Sequence, residues 1–146
     1  MAATPPSLIR PHMPPWVAVL IACVSSFMVV MDGAIVNVAL PAIQADLHLS
    51  AIELQWVVDA YLLALGGFML LAARASDLFG RKPILLSGLL VFTAASLVGG
   101  LADSAGLLLT ARAVQGFGAS ALATSTLAVI VAVHPGGPAR ARAISL

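Results

Sequence analysis

Long stretches of this chain carry almost no charge, and that feature limits its possible folds more than any other. Val17 to Leu40 holds one charged residue, Asp32; Ile52 to Ala73 holds Glu53 and Asp59; Pro83 to Leu101 holds none; Gly106 to Val131 holds only Arg112. A helix rises about 1.5 Å per residue, so roughly 20 apolar residues in a row cross the hydrocarbon core of a bilayer. Inside that core each backbone N–H and C=O must find a partner within its own segment, which makes runs of this length helices. The composition agrees: 61% of residues are hydrophobic and 9% charged, against about 45–50% and 25% in soluble proteins. The expectation is an all-α membrane protein with four transmembrane helices, at about 17–40, 52–73, 83–101 and 106–131.

The flanking segments refine this picture. Residues 1–15 contain Pro5, Pro6, Pro11, Pro14 and Pro15 and no helical period, so they read as a disordered tail. Trp16 marks the membrane surface, where its amphipathic ring is favoured. The first run is too long for a signal-peptide core and lacks a clean cleavage site, so it is an uncleaved first span. Pro41 is expected to close it. The short connections that follow force antiparallel neighbours, with a charged loop from Arg74 to Lys82 between spans two and three. Arg10, Arg74, Arg81, Lys82, Arg140 and Arg142 all fall on one side of the membrane, and the connections after spans one and three carry no basic residue. By the positive-inside rule the tail and the Arg74–Lys82 loop are cytoplasmic, in a multi-pass protein of the cell (inner) membrane. Ala141 to Leu146 read as the opening of a fifth span, so the expectation is an N-terminal fragment of a longer protein.

Other function classes find little support. A net charge of +1 and the lack of basic runs offer nothing to nucleic acid. His12, His48 and His134 lie in unrelated loops without metal-ligand spacing, and no nucleophile–base set can be assembled, so neither a metal site nor an enzyme is expected. Cys23 stands alone in an apolar run and reads as a packing residue. Gly116-Phe117-Gly118-Ala119-Ser120-Ala121 fits the dinucleotide pattern G-x-G-x-x-A, but it sits mid-span without the strand and open helix N-terminus that a pyrophosphate needs.

The informative residues are the expensive ones. Asp32, Asp59 and Arg112 each cost about 2.5–3.5 kcal/mol within a span, so pairing or function is the default reading. Counting at about 1.5 Å per residue from the outer ends places them roughly 13, 10 and 9 Å deep, in one layer. A structural salt bridge and a proton relay both fit. In the fourth span Arg112, Gln115, Gly116 and Ala119 share one face, and Gly116, Ser120 and Thr124 form a small-xxx-small repeat suited to close helix packing. Near the charged loop, Asp77 and Arg81 are spaced to meet across a turn for which Gly80 can supply a positive φ.

Four segments together resemble the major facilitator superfamily, and within it the drug:proton antiporters with fourteen spans. Ala73-Arg-Ala-Ser-Asp77-Leu-Phe-Gly80-Arg81-Lys82 is similar to the family's loop motif G-x-L-x-D-x-x-G-R-K/R, with Ala73 and Ala75 in place of glycine and leucine. Leu109 to Ala119 resembles the fourth-span motif L-x-x-x-R-x-x-Q-G-x-G-A. Met31-Asp32-Gly-Ala-Ile-Val-Asn37-Val-Ala39-Leu40-Pro41 resembles the first-span motif L-D-x-T-x-V-N-V-A-L-P, with Ala34 where threonine is usual. Gln55-Trp56-Val-Val-Asp59-Ala-Tyr61 is similar to the second span of that branch. The resemblance implies alternating access, export of lipophilic and often cationic small molecules driven by the proton gradient without a cofactor, and a C-terminal part of the transporter as partner. It implies a conformational switch at Asp77, Gly80, Arg81 and Lys82. With the reading of the spans it places proton coupling at Asp32 and Arg112, with Asp59 as the alternative carrier, and puts Asn37, Tyr61, Gln115 and Gly116 in a substrate cavity or helix packing. Two rivals stay open: a complete four-span homodimeric exporter, and a membrane protein whose polar residues only pack helices.

Overall fold

The computed structural model describes residues 15–133. The tail before Pro15 and the expected fifth span near 141 lie outside those residues. Four α-helices make up the described fold: α1 (Pro15–Leu47), α2 (Ala51–Phe79), α3 (Arg81–Gly100) and α4 (Ala105–Val133). Of these, Cys23–Leu47, Ala51–Phe79 and Arg81–Gly100 are long and apolar enough to cross a membrane. The fourth, α4, has 29 residues, which at about 1.5 Å each make roughly 43 Å.

The bundle is organised around α4, which packs against each of the other three, while α1 with α2 and α2 with α3 touch only sparingly. Two glycines explain how α4 serves two neighbours at once. A Cβ on Gly116 would run into the Tyr61 carbonyl and the Ala64 side chain of α2, whereas one on Gly118 would lie 2.7 Å from the Phe92 nitrogen and 3.0 Å from the Gly88 oxygen of α3. Two residues of a 3.6-residue turn place them on nearly opposite faces, so each lets a different backbone come close. The G-x-G pattern therefore serves packing between helices.

α1 and α2 run well past the apolar stretches at their C-terminal ends, and three expectations are corrected here. Pro41 lies inside α1, which continues to Leu47. The ring removes one N–H from the ladder, but the extra turns carry Ile43 and Leu47 into an apolar cluster with Leu49, Val57 and Leu108, and that packing holds the helix together. The charged stretch after Ala73 is also helical: α2 runs through Arg74 and Asp77 to Phe79, and only Gly80 separates it from α3. No breaker precedes Gly80, whose φ of 94° turns the chain. Pro83 is tolerated because the first turn of α3 has free N–H groups in any case. A third correction concerns Cys23, which sits on the exposed face of α1 and not in its packing.

The α1–α2 connection is closed by two caps. His48 adopts φ 51°, and the Leu49 N–H donates to the Gln44 carbonyl at 3.1 Å, a left-handed C-cap of the Schellman type with histidine where glycine is usual. Ser50 then caps α2: its hydroxyl accepts from the Glu53 N–H while the Glu53 carboxylate accepts from the Ser50 N–H. The core falls into two apolar clusters, one around Tyr61, Leu85, Phe92, Ala119 and Leu122, the other around Leu49, Val57 and Leu108. Between them lies a polar layer.

Candidate functional site

Three side chains meet in that layer. Asp32 lies between Val29, which packs on the first cluster, and Val36, which packs on the second; Arg112 lies between Leu108 and Ala119. The Arg112 Nη1 donates to Asp32 Oδ2 at 2.8 Å and to Gln115 Oε1 at 2.9 Å, and Gln115 Nε2 donates to Asp32 Oδ1 at 2.6 Å. Both carboxylate oxygens are engaged in a closed triangle. Arginine and glutamine sit three residues apart on one face of α4, which is why a single carboxylate from α1 can take a bond from each.

A second helix steadies the arginine. Its Nε donates to the Val57 carbonyl at 3.1 Å, and the guanidinium lies over the Tyr61 ring, 4.3 Å from the centroid. Val57 and Tyr61 are one turn apart on α2, so they meet the guanidinium at an edge and at its face. The side chains of Arg112 and Asp32 are only 5% and 12% exposed. Removing one partner of a pair this buried leaves an uncompensated charge, a cost of about 3–5 kcal/mol.

The other residues singled out in the sequence distribute differently. Asp59 stands apart from the triangle: it accepts from Gln55 Nε2 at 3.3 Å through both oxygens, on its own helix. The depth count had placed it level with Asp32, but depth fixes height along a helix and not the face. Asn37 is exposed and donates to the Gly33 carbonyl at 2.8 Å. Tyr61 and Gln115 are buried in and beside the triangle, and Gly116 is buried where α4 crosses α2. Asp77, Arg81 and Lys82 are exposed around Gly80, at the opposite end from His48.

Sequence reasoning missed the Val57 carbonyl, which no side-chain pattern can announce, and the stacking of Tyr61 on Arg112. It also missed the capping box, although Ser50-Ala-Ile-Glu53 spells it out.

Residues 22–146 match the profile of the Major Facilitator Superfamily. The chain belongs to that superfamily. It is 43% identical over 129 residues to the cephamycin export protein CmcT of Amycolatopsis lactamdurans, covering 88% of this chain and 26% of that protein. It is 47% identical over 115 residues to the puromycin resistance protein pur8 of Streptomyces alboniger, covering 79% of this chain and 23% of that one. The multidrug resistance protein Stp of Mycobacterium tuberculosis (strain CDC 1551 / Oshkosh) is 43% identical over 120 residues, with 82% and 22% covered. The chain thus spans about a quarter of the length of the curated relatives it matches. This member of the superfamily is a multi-pass, all-α membrane protein, and its four helices form the start of a major facilitator N-terminal domain.

Proposed function

We propose that this chain supplies the first helices of a proton-coupled exporter of lipophilic small molecules. Its working partners are then the lipid bilayer, the exported compound and the remaining helices of the transporter, and its energy source is the proton gradient, with no cofactor. The observation that carries this reading is the closed Asp32–Arg112–Gln115 triangle, buried between two apolar clusters and joining α1 to α4. The printed functions of the similar proteins, export of cephamycin and resistance to puromycin or to several drugs, support the same reading.

In this mechanism Asp32 is the proton carrier. As a carboxylate it binds the guanidinium and the Gln115 amide and ties α1 to α4. A proton arriving on one of its oxygens removes the negative charge that the guanidinium pairs with, so the link between the helices weakens and the arrangement that opens to the other side gains in population. When the proton leaves, the triangle closes again. Charge balance makes proton and cationic substrate mutually exclusive at this layer. Gly80 and its neighbours Asp77, Arg81 and Lys82 mark the conformational switch region. Positive-inside bookkeeping puts that end and the N-terminus in the cytoplasm, in a cell (inner) membrane.

The test uses the protein produced from its native gene in inside-out vesicles with an imposed pH gradient. Asp32→Asn is expected to abolish gradient-driven drug accumulation while drug binding stays measurable, and a sodium gradient alone is expected to drive nothing. Wild-type accumulation by Asp32→Asn would overturn the assignment and make Asp59 the next residue to test.

A further inference from the structure

The charged turn at Gly80 adjoins an apolar groove that none of the functional readings uses. α2 and α3 leave Gly80 side by side and then diverge, with α4 behind them, so that a cavity of about 270 Å³ opens between the three helices. Ala75 and Ile84 line the groove nearest the turn, Val91 lies deeper, and Phe68 and Phe117 form its inner end, edge to face with centroids 5.0 Å apart. Phe68 and Ala75, like Ile84 and Val91, are seven positions apart, which makes a slot roughly 10 Å long at the helical rise of about 1.5 Å.

The chemistry of the groove is one-sided. Two hydroxyls line it, and both are spent on their own helices: Ser87 donates to the Ile84 carbonyl at 3.0 Å and Ser120 to the Phe117 carbonyl at 2.7 Å. Neither has a proton left to donate to a ligand in the groove. The mouth is the reverse. Arg74 directly precedes Ala75, and Lys82 stands two residues before Ile84; both are exposed, with Arg81 beside them and Asp77 as the one acid of the cluster. A dry slot ending in a net positive rim fits a molecule with an apolar chain and an anionic head.

We propose that this groove binds one acyl chain of an anionic phospholipid, whose phosphate lies between Arg74 and Lys82. A neutral zwitterionic lipid offers the same chain but gains less from the rim. Basic residues at a membrane surface contribute about 1 kcal/mol each toward anionic lipid, which converts to about fivefold in relative occupancy per residue. No residue of the Asp32 triangle lines the groove, so lipid binding there can be read apart from proton coupling, although its rim shares Asp77, Arg81 and Lys82 with the proposed switch region.

The test uses the native-length protein in bilayers of phosphatidylcholine with phosphatidylglycerol, and tryptophan quenching by lipids brominated on the chain. Every native tryptophan, Trp16 and Trp56 among them, is replaced by phenylalanine and Phe68→Trp places the one reporter at the inner end of the groove. At equal mole fractions, brominated phosphatidylglycerol is expected to quench the reporter well beyond brominated phosphatidylcholine. Lys82→Gln, an exposed change that leaves the fold intact, is expected to cut that preference about fivefold, and Ala75→Phe to remove quenching by both lipids. Equal quenching by the two lipids would reduce the groove to ordinary annular contact and overturn the proposal. So would an absence of quenching in the unplugged protein, which would mean that another part of the protein covers the groove.

Discussion

Placing a methyl group on Gly116 probes the contact on which the polar layer rests. In Gly116→Ala the new Cβ collides with the Tyr61 carbonyl and lies 2.9 Å from the Ala64 Cβ. Neither neighbour can rotate away, so α2 and α4 must part, an overpacking cost of about 1–3 kcal/mol. Parting also stretches the 3.1 Å bond from Arg112 Nε to the Val57 carbonyl and lifts the guanidinium from the Tyr61 ring. A hydrogen bond from a charged donor contributes about 1.5–3 kcal/mol, while alanine returns about 1 kcal/mol in helix propensity. The net expectation is a loss of about 2–4 kcal/mol. Gly66 is the matched control, because a Cβ there meets nothing within 4 Å, and Gly66→Ala should gain about 0.5–1 kcal/mol. Thermal unfolding in detergent should separate the two variants by on the order of 10 °C. If they melt together, the close approach of α2 and α4 is not what holds this region, and the reasoning fails. Gly118→Ala completes the series: its collision is with Phe92 and Gly88 of α3, so it should destabilise without disturbing the arginine.

Other substitutions test separate links. Arg112→Lys keeps the charge but loses the fork that binds Asp32, Gln115 and Val57 together, so drug export should fall at least tenfold while insertion, read by protease protection, stays normal. His48→Gly relieves a left-handed conformation that costs an ordinary residue about 1 kcal/mol and should raise the melting temperature by a few degrees. Lys82→Cys, in a background with Cys23→Ala and every other native cysteine replaced, should react with a membrane-impermeant thiol reagent from the cytoplasmic side only; labelling from outside would reverse the proposed orientation.

The sequence announced the helices more clearly than their ends. Runs of spanning length with almost no charge leave no other fold, but a run marks only what the lipid requires, and α1 and α2 continue for several residues as helices built from more polar turns. Pro41 misled because its local cost is outweighed by the packing of Ile43 and Leu47, which only the assembled bundle reveals. The Asp32–Arg112 pairing was legible because buried charges in a span need partners. The separation of Asp59 from the triangle was not: its height matched, but nothing in the sequence said that Gln55, one turn away, would take its carboxylate. The stacking of Tyr61 and the Val57 carbonyl stayed hidden because they depend on the closeness of two backbones. Gly116 permits that closeness, but its spacing alone did not say which helix it would face.

The central place of α4 also bears on how the bundle is made. Helices leave the ribosome in order, and α1, α2 and α3 make few contacts with one another among the described residues. Until α4 follows, Asp32 has neither its arginine nor its glutamine, and Tyr61 and Phe92 have no glycine to close against. At about 5–20 residues per second, synthesis of the 29 residues of α4 takes roughly 1.5–6 s. For that interval the three helices already made have few contacts with one another, and Asp32 waits for the partners that only α4 brings.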